Sequence, residues 1–473
     1  MNYKSIFFFL GIYSFFISFF SLLNILYSIY LDFKIDSNSY LITFLISFVV
    51  GSIFWYMGRF HDKDISLFDQ IALIILIYIF IPLLISIPYF LSIHNINYIN
   101  SIFESVSGFT TTGFSIVKNI KNIDDPLILW RSSSQWLGGL IFLIVTIGTI
   151  GSKQIKIKPA YLISGGASGR NFYRNFNYNF IKILLIYFFS TLFIIFLYNL
   201  SDIRLLDSFN LAFTTISSGG FLPEKDLSNI VNNDLQLFVL SISLLFPILN
   251  FFILFDIITR KFRFENHLED FHLILLIIFL TSFIYFFIIS GESFVNIFLA
   301  VVSSISTSGI STYSMNFDMS LFFITLTIVG GSLISTSSGF KYTRLYILLK
   351  NSYQGIYRLV KPINVIDKNL FNSEKKIDDQ DVKIAFFVFI SFIISIFILS
   401  SILTLDNLTF EYAFKLSILT LTNTVSSALY GLENLNFFDL SNLSKISLII
   451  FMIFGKIEII TVIYLIKKFI FRE

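Results

Sequence analysis

Thr110-Thr111-Thr112-Gly113-Phe114 closes a half-apolar segment, 99–113, that is too short to cross a bilayer and ends in small polar residues. Three more stretches of the same kind follow: Ser217-Ser218-Gly219-Gly220-Phe221, Ser306-Thr307-Ser308-Gly309-Ile310 and Asn423-Thr424-Val425-Ser426-Ser427. They end segments 206–220, 294–309 and 408–426. Apolar stretches of about 10–14 residues in a membrane protein read as re-entrant. Non-helical backbone at that depth survives only where it lines a water-filled cavity. A filter that dehydrates a cation needs successive carbonyl oxygens aimed at one axis. Gly permits the torsions that aim them, and small Ser or Thr neighbours permit close approach. One such motif is read more simply as a polar turn or a small-residue packing face. Four, at matching places, point to a ring.

Outward from these motifs, apolar runs long enough to span (roughly 20 residues) lie near 5–30, 38–58, 70–92, 126–150, 178–200, 235–258, 271–291, 319–349, 383–404 and 443–470. The first is too long for a signal peptide and lacks a small-residue cleavage site, so it reads as a retained helix. Each short segment falls between two full spans. The expected fold is an all-α polytopic membrane protein with four helix, re-entrant loop, helix units around a central pore. Two extra helices precede them. The expected division is 1–60 for that pair, then 61–160, 161–262, 263–360 and 361–473 for the four units.

Composition agrees. Of 473 residues 55% are hydrophobic, 61 are Phe and only 13% are charged, where soluble domains carry about 25%. A water-soluble enzyme is excluded. No Cys and four scattered His leave no thiolate or zinc chemistry, and a net charge of +3 is too small to argue for nucleic acid. With the N-terminus in the cytoplasm, most of the 33 Lys and Arg fall in cytoplasmic segments, among them Lys153, Lys156, Lys158, Arg170, Arg174 and Lys182 in one loop. That asymmetry obeys the positive-inside rule only if the short segments do not cross.

Lys456 stands alone in mid-helix. A Lys at that depth costs about 2.5–3.5 kcal/mol and therefore faces an interior cavity or snorkels. Glu458, two positions on, lies on another face. Glu104 and Asp256 sit near the ends of apolar segments, as expected of structural or solvated groups. The run Gly330-Gly331-Ser332, with Ser335-Thr336-Ser337-Ser338-Gly339, interrupts the third-unit helix at mid-membrane depth. Small polar residues there let a loop occlude the path, and the segment reads as a gate rather than a packing kink. Gly165-Gly166-Ala167-Ser168-Gly169 lacks the strand and Lys-Ser/Thr of a phosphate loop.

The chain resembles the membrane subunit of the Trk/Ktr/HKT superfamily of potassium transporters, closest to the Trk branch, over essentially its whole length. The resemblance rests on the four motifs and on Phe103-Glu104-Ser105-Val106-Ser107-Gly108-Phe109 before the first. It rests also on Arg131 through Gln135-Trp136-Leu137-Gly138-Gly139, on 330–341, on Arg358-Leu359-Val360-Lys361-Pro362-Ile363-Asn364-Val365, and on Phe454-Gly455-Lys456-Ile457-Glu458. It implies a selectivity filter of Thr111, Thr112, Gly113, Ser218, Gly219, Gly220, Thr307, Ser308, Gly309, Thr424, Val425 and Ser426. Potassium would be held by the carbonyls of Thr112, Gly113, Gly219, Gly220, Ser308, Gly309, Val425 and Ser426, with no organic cofactor. Lys456 would be an electrostatic barrier below the filter, and the setting a bacterial cytoplasmic membrane. It implies a homodimer over a cytosolic nucleotide-binding regulatory subunit. Three residues depart from the family pattern: Ser426 for Gly, Ile310 for Phe and Lys456 for Arg.

Two other readings compete. A sodium-permeable or ion-coupled symporter would normally show intramembrane acids, and only Glu458 qualifies. A polyprenyl-phosphate transferase would need carboxylates for a metal diphosphate. Asp124-Asp125 is the lone outward acidic pair, with Pro126 directly after it.

Overall fold

The apolar runs fold as helices. The computed structural model describes residues 2–61, 65–93, 96–117, 120, 123–150, 172–258, 264–288, 291–312, 319–360, 369–372, 377–432 and 435–457. Gly165–Gly169, Glu458 and the motif beyond Val360 lie outside them.

Helices α1 (Tyr3–Tyr30) and α2 (Lys34–Gly58) form a hairpin. With no hydrophobic drive between helices in lipid, small residues at the contact do the work: a Cβ on Gly11 would lie 2.7 Å from Trp55 N. Ser5, Ser14, Ser18, Ser21 and Ser28 of α1 face inward, whereas Leu41, Leu45, Phe48 and Val49 of α2 are exposed, as only a lipid-facing helix tolerates.

Four units follow. The first is α3 (Leu67–Ser92), α4 (Tyr98–Phe109) and α5 (Asp125–Ile150). The second is α6 (Phe172–Leu200), α7 (Leu205–Ser217), α8 (Asp234–Ser243) and α9 (Phe252–Ile258). The third is α10 (Leu268–Phe287), α11 (Phe294–Ile305), α12 (Ser320–Val329) and α13 (Tyr342–Val360). The fourth is α14 (Asp379–Thr404), α15 (Phe410–Leu421) and α16 (Asn442–Ile457). Helices α4, α7, α11 and α15 have only 12 or 13 residues, about 18–20 Å at 1.5 Å per residue. Half-crossing is all they can do.

Two spans are broken. The third-unit break at 330–341 is the one expected from the sequence. The other, at 244–251, is not: the run 235–258, expected to be one helix, holds α8 and α9. Pro247 donates no N–H and ends the ladder. Its carbonyl accepts from Ser337 N (3.1 Å), the Ile248 carbonyl accepts from Ser332 N (2.8 Å), and Phe251 N donates to Ile334 O (2.8 Å). The two breaks satisfy one another's backbone, as a low-dielectric setting demands. Carboxylates at the start of α10 hold both. Asp270 Oδ1 accepts from Asn250 N at 2.7 Å, and Glu269 Oε1 accepts from Leu333 N at 3.0 Å. His267 bridges Asp270 and Asp256, so Asp256 is structural.

Candidate functional site

The short helices deliver their C-termini to one place. Gly138 on α5 packs against the end of α4, where a Cβ would lie 1.9 Å from Phe109 O. Gly455 on α16 packs in the same way against Leu421 O at the end of α15, where a Cβ would lie 2.5 Å away. The negative ends of the helix dipoles therefore point toward the motifs.

After each short helix the chain turns left-handed, with φ of 59° at Thr111, 55° at Ser218, 60° at Thr307 and 49° at Asn423. The next residue in each, Thr112, Gly219, Ser308 or Thr424, donates its N–H back to Ser107, Thr214, Ser303 or Leu419 respectively. Hydroxyl pairs repeat too: Thr110–Thr112 at 2.7 Å, Ser306–Ser308 at 3.0 Å and Thr422–Thr424 at 3.0 Å. These repeats fix the register.

One residue further on stand Gly113, Gly220 and Gly309, with φ of 83°, 144° and 66°. Their fourth counterpart is Val425. The expectation that Ser426 occupies the glycine position is therefore corrected by one residue, because the register is counted from the end of α15. Gln135 Oε1 accepts from Gly220 N and Phe221 N at 3.3 and 3.2 Å, fixing the second strand. Asn423 Nδ2 donates to Thr112 Oγ1 at 2.9 Å, joining the fourth strand to the first. Gly113, Gly220, Gly309 and Val425 line the floor of a cavity of about 770 Å³ whose walls include Glu224, Lys225 and Asp226.

Below the ring lies the loop of Gly330, Gly331, Ser332, Ser335, Thr336, Ser337, Ser338 and Gly339, buried but for the half-buried Gly339. Gly330 (φ 63°) and Gly339 (φ 83°) cross at its neck; a Cβ on Gly330 would lie 2.5 Å from Ser338 O. The loop bonds to two strands directly. Ser218 Oγ donates to Thr336 O (3.1 Å), and Ser338 N donates to Thr307 Oγ1 (3.0 Å).

Lys456 supplies the third tie. It is 1% exposed and does not snorkel. Its ammonium donates to Thr111 Oγ1 (2.7 Å), Thr336 O (3.3 Å) and Ser338 Oγ (3.2 Å), 4.6 Å from the Phe142 ring centroid. Lys341 Nζ lies inside the loop, donating to Ser335 O at 3.2 Å and Ser337 O at 2.5 Å.

Sequence reasoning did not find the ion pair that supports the first strand. Arg131 Nε donates to Glu104 Oε1 at 2.9 Å, both groups fully enclosed. Glu104 Oε2 accepts from Ile116 N at 2.8 Å, and Arg131 stacks 4.2 Å from the Phe221 ring centroid. Both residues fall in the motifs quoted above, but they are 27 positions apart.

No protein-family model matches the chain. Its architecture is similar to the crystal structure of the potassium transporter TrkH from Vibrio parahaemolyticus, with a TM-score of 0.83, 20% identity and 98% of each chain covered. The fold is that of a Trk-type membrane subunit. Relatives agree along nearly the whole length. An uncharacterised cation transporter of Methanocaldococcus jannaschii is 25% identical over 470 residues, covering 96% of this chain and 94% of its own. The Trk system potassium uptake protein TrkG of Escherichia coli is 25% identical over 456 residues, with 92% of both chains covered. These relatives are transport proteins rather than enzymes, and this chain, which shares that fold, is a polytopic membrane protein.

Proposed function

We propose that this Trk-type subunit carries potassium into the cell, driven by the membrane potential. The observation that carries the reading is the ring: four strands with one backbone register meet at the floor of a cavity of about 770 Å³. The substrate ion would be held by carbonyls of residues 112–113, 219–220, 308–309 and, in the corrected register, 424–425. At 100 mV the potential is worth roughly 2.3 kcal/mol per charge, enough for about fiftyfold accumulation with no ATP site.

The buried 330–339 loop is the gate in this reading, and Lys456 the charge that holds it shut. α13 leaves the loop directly and carries Arg344, Lys350 and Arg358 toward the cytoplasm, where a nucleotide-binding regulatory subunit under a homodimer would pull on it. The setting is a bacterial inner membrane with the N-terminus inside.

Uptake by cells stripped of their own potassium transporters tests the ion choice. Potassium and rubidium should each suppress uptake of a tracer rubidium far below the level that equal sodium achieves. Equal suppression by sodium would overturn the potassium assignment and favour a sodium-permeable transporter.

A further inference from the structure

The ring is not open on its axis. A Cβ built on a filter glycine points into the space an ion would use, since left-handed torsions aim the carbonyl there and an L side chain beside it. All three such vectors come within 3.1 Å of the same side chain. The Cβ of Gly113 would lie 3.1 Å from Val425 Cβ, that of Gly220 2.9 Å from Val425 Cβ, and that of Gly309 2.7 Å from Val425 Cγ1.

The order around the ring makes this decisive. The Gly113 position lies beside Gly220 C (3.5 Å), the Gly220 position beside Ser308 O (2.6 Å) and the Gly309 position beside Val425 O (2.9 Å). Asn423 closes the circle on Thr112. The second and fourth strands are therefore opposite each other, and a Val425 side chain that reaches Gly220 crosses the centre. Val425 also lacks the positive φ shared by its three counterparts.

Resting on the conduction reading above, we propose that the Val425 isopropyl group is an apolar plug on the conduction axis at the cavity end of the filter. The fourth strand is the one that moves to admit an ion. An isopropyl group offers no oxygen to replace a hydration shell, so a cation at that level would be dehydrated without compensation. Room for movement lies on one side only. Val425, Ser426, Ser427 and Ala428 are half-buried, whereas Gly113-Phe114, Gly220-Phe221 and Gly309-Ile310 are buried. This plug is separate from the 330–339 loop, which closes the path from below.

The test is rubidium flux per reconstituted molecule in Val425→Gly, Val425→Ala and Val425→Leu. Flux should rise as the side chain shrinks, by at least about threefold for Gly over Val, and fall for Leu. The chain has no Cys, so Val425→Cys carries a unique thiol. A charged thiol reagent added from the cavity side should block that variant and leave the parent untouched. If the parent conducts, flux is indifferent to size at 425 and modified Val425→Cys still conducts, the plug is overturned while the transport reading stands. If neither parent nor Val425→Gly conducts, transport itself fails.

Discussion

Lys456→Ala should raise rubidium flux severalfold. The ammonium is buried directly below the first strand, 2.7 Å from Thr111 Oγ1, and among the described residues no carboxylate lies in its hydrogen-bond shell. Repulsion of a cation at ~6 Å with an effective dielectric of about 20 is roughly 3 kcal/mol before water screens it. A third of that is a factor of about five in rate. The substitution also cuts the three hydrogen bonds that tie Thr336 and Ser338 to Thr111, so in the proposed reading gate and barrier weaken together. Lys456→Met, which keeps most of the volume, should raise flux as well and separates charge from cavity. Lys456→Arg should preserve the barrier, because its planar fork can satisfy the same oxygens. Flux normalised to reconstituted protein decides it. Unchanged rates in the Ala and Met variants would retire Lys456 from the pathway.

The largest effect on stability should come from Glu104 and Arg131. Removing one partner of an enclosed ion pair strands the other charge and costs about 3–5 kcal/mol. Glu104→Ala and Arg131→Ala should each sharply reduce the yield of folded protein and its melting temperature in detergent. Glu104 carries a second load, since its Oε2 holds Ile116 N. The double variant Glu104→Gln/Arg131→Met should recover much of the loss, as double-mutant coupling between contacting residues requires. Additive losses, measured as thermal unfolding of the same detergent-solubilised protein, would show that the pair does not act as a unit.

Much of this architecture is legible in the chain because lipid leaves few options. Segments of 12 or 13 residues cannot cross, and Ser, Thr and Gly at their ends mark backbone that must leave the helix. The 330–339 loop announces itself in the same way. The break at 244–251 does not, since its neighbours are Leu, Phe and Ile, and Pro247 with Asn250 are the lone polar or breaking signals. Its partner is a loop more than 80 residues away, and that pairing belongs to the topology. The fourth strand of the ring misleads for a different reason. Ser426 is the small residue in Thr-Val-Ser-Ser, so composition places it at the glycine position. Hydrogen-bond counting from Leu419 places Val425 there instead. Lys456 could be read as buried or as snorkelling, and its three oxygen partners come from two units distant in sequence.

Reconstituted liposomes with and without an imposed potential test the central claim most directly. With the interior negative, rubidium should enter and accumulate without ATP or any second ion gradient, and clamping the potential to zero should abolish net accumulation. Uptake that ignores the potential, or that demands a proton or sodium gradient, would contradict conduction through a four-strand filter.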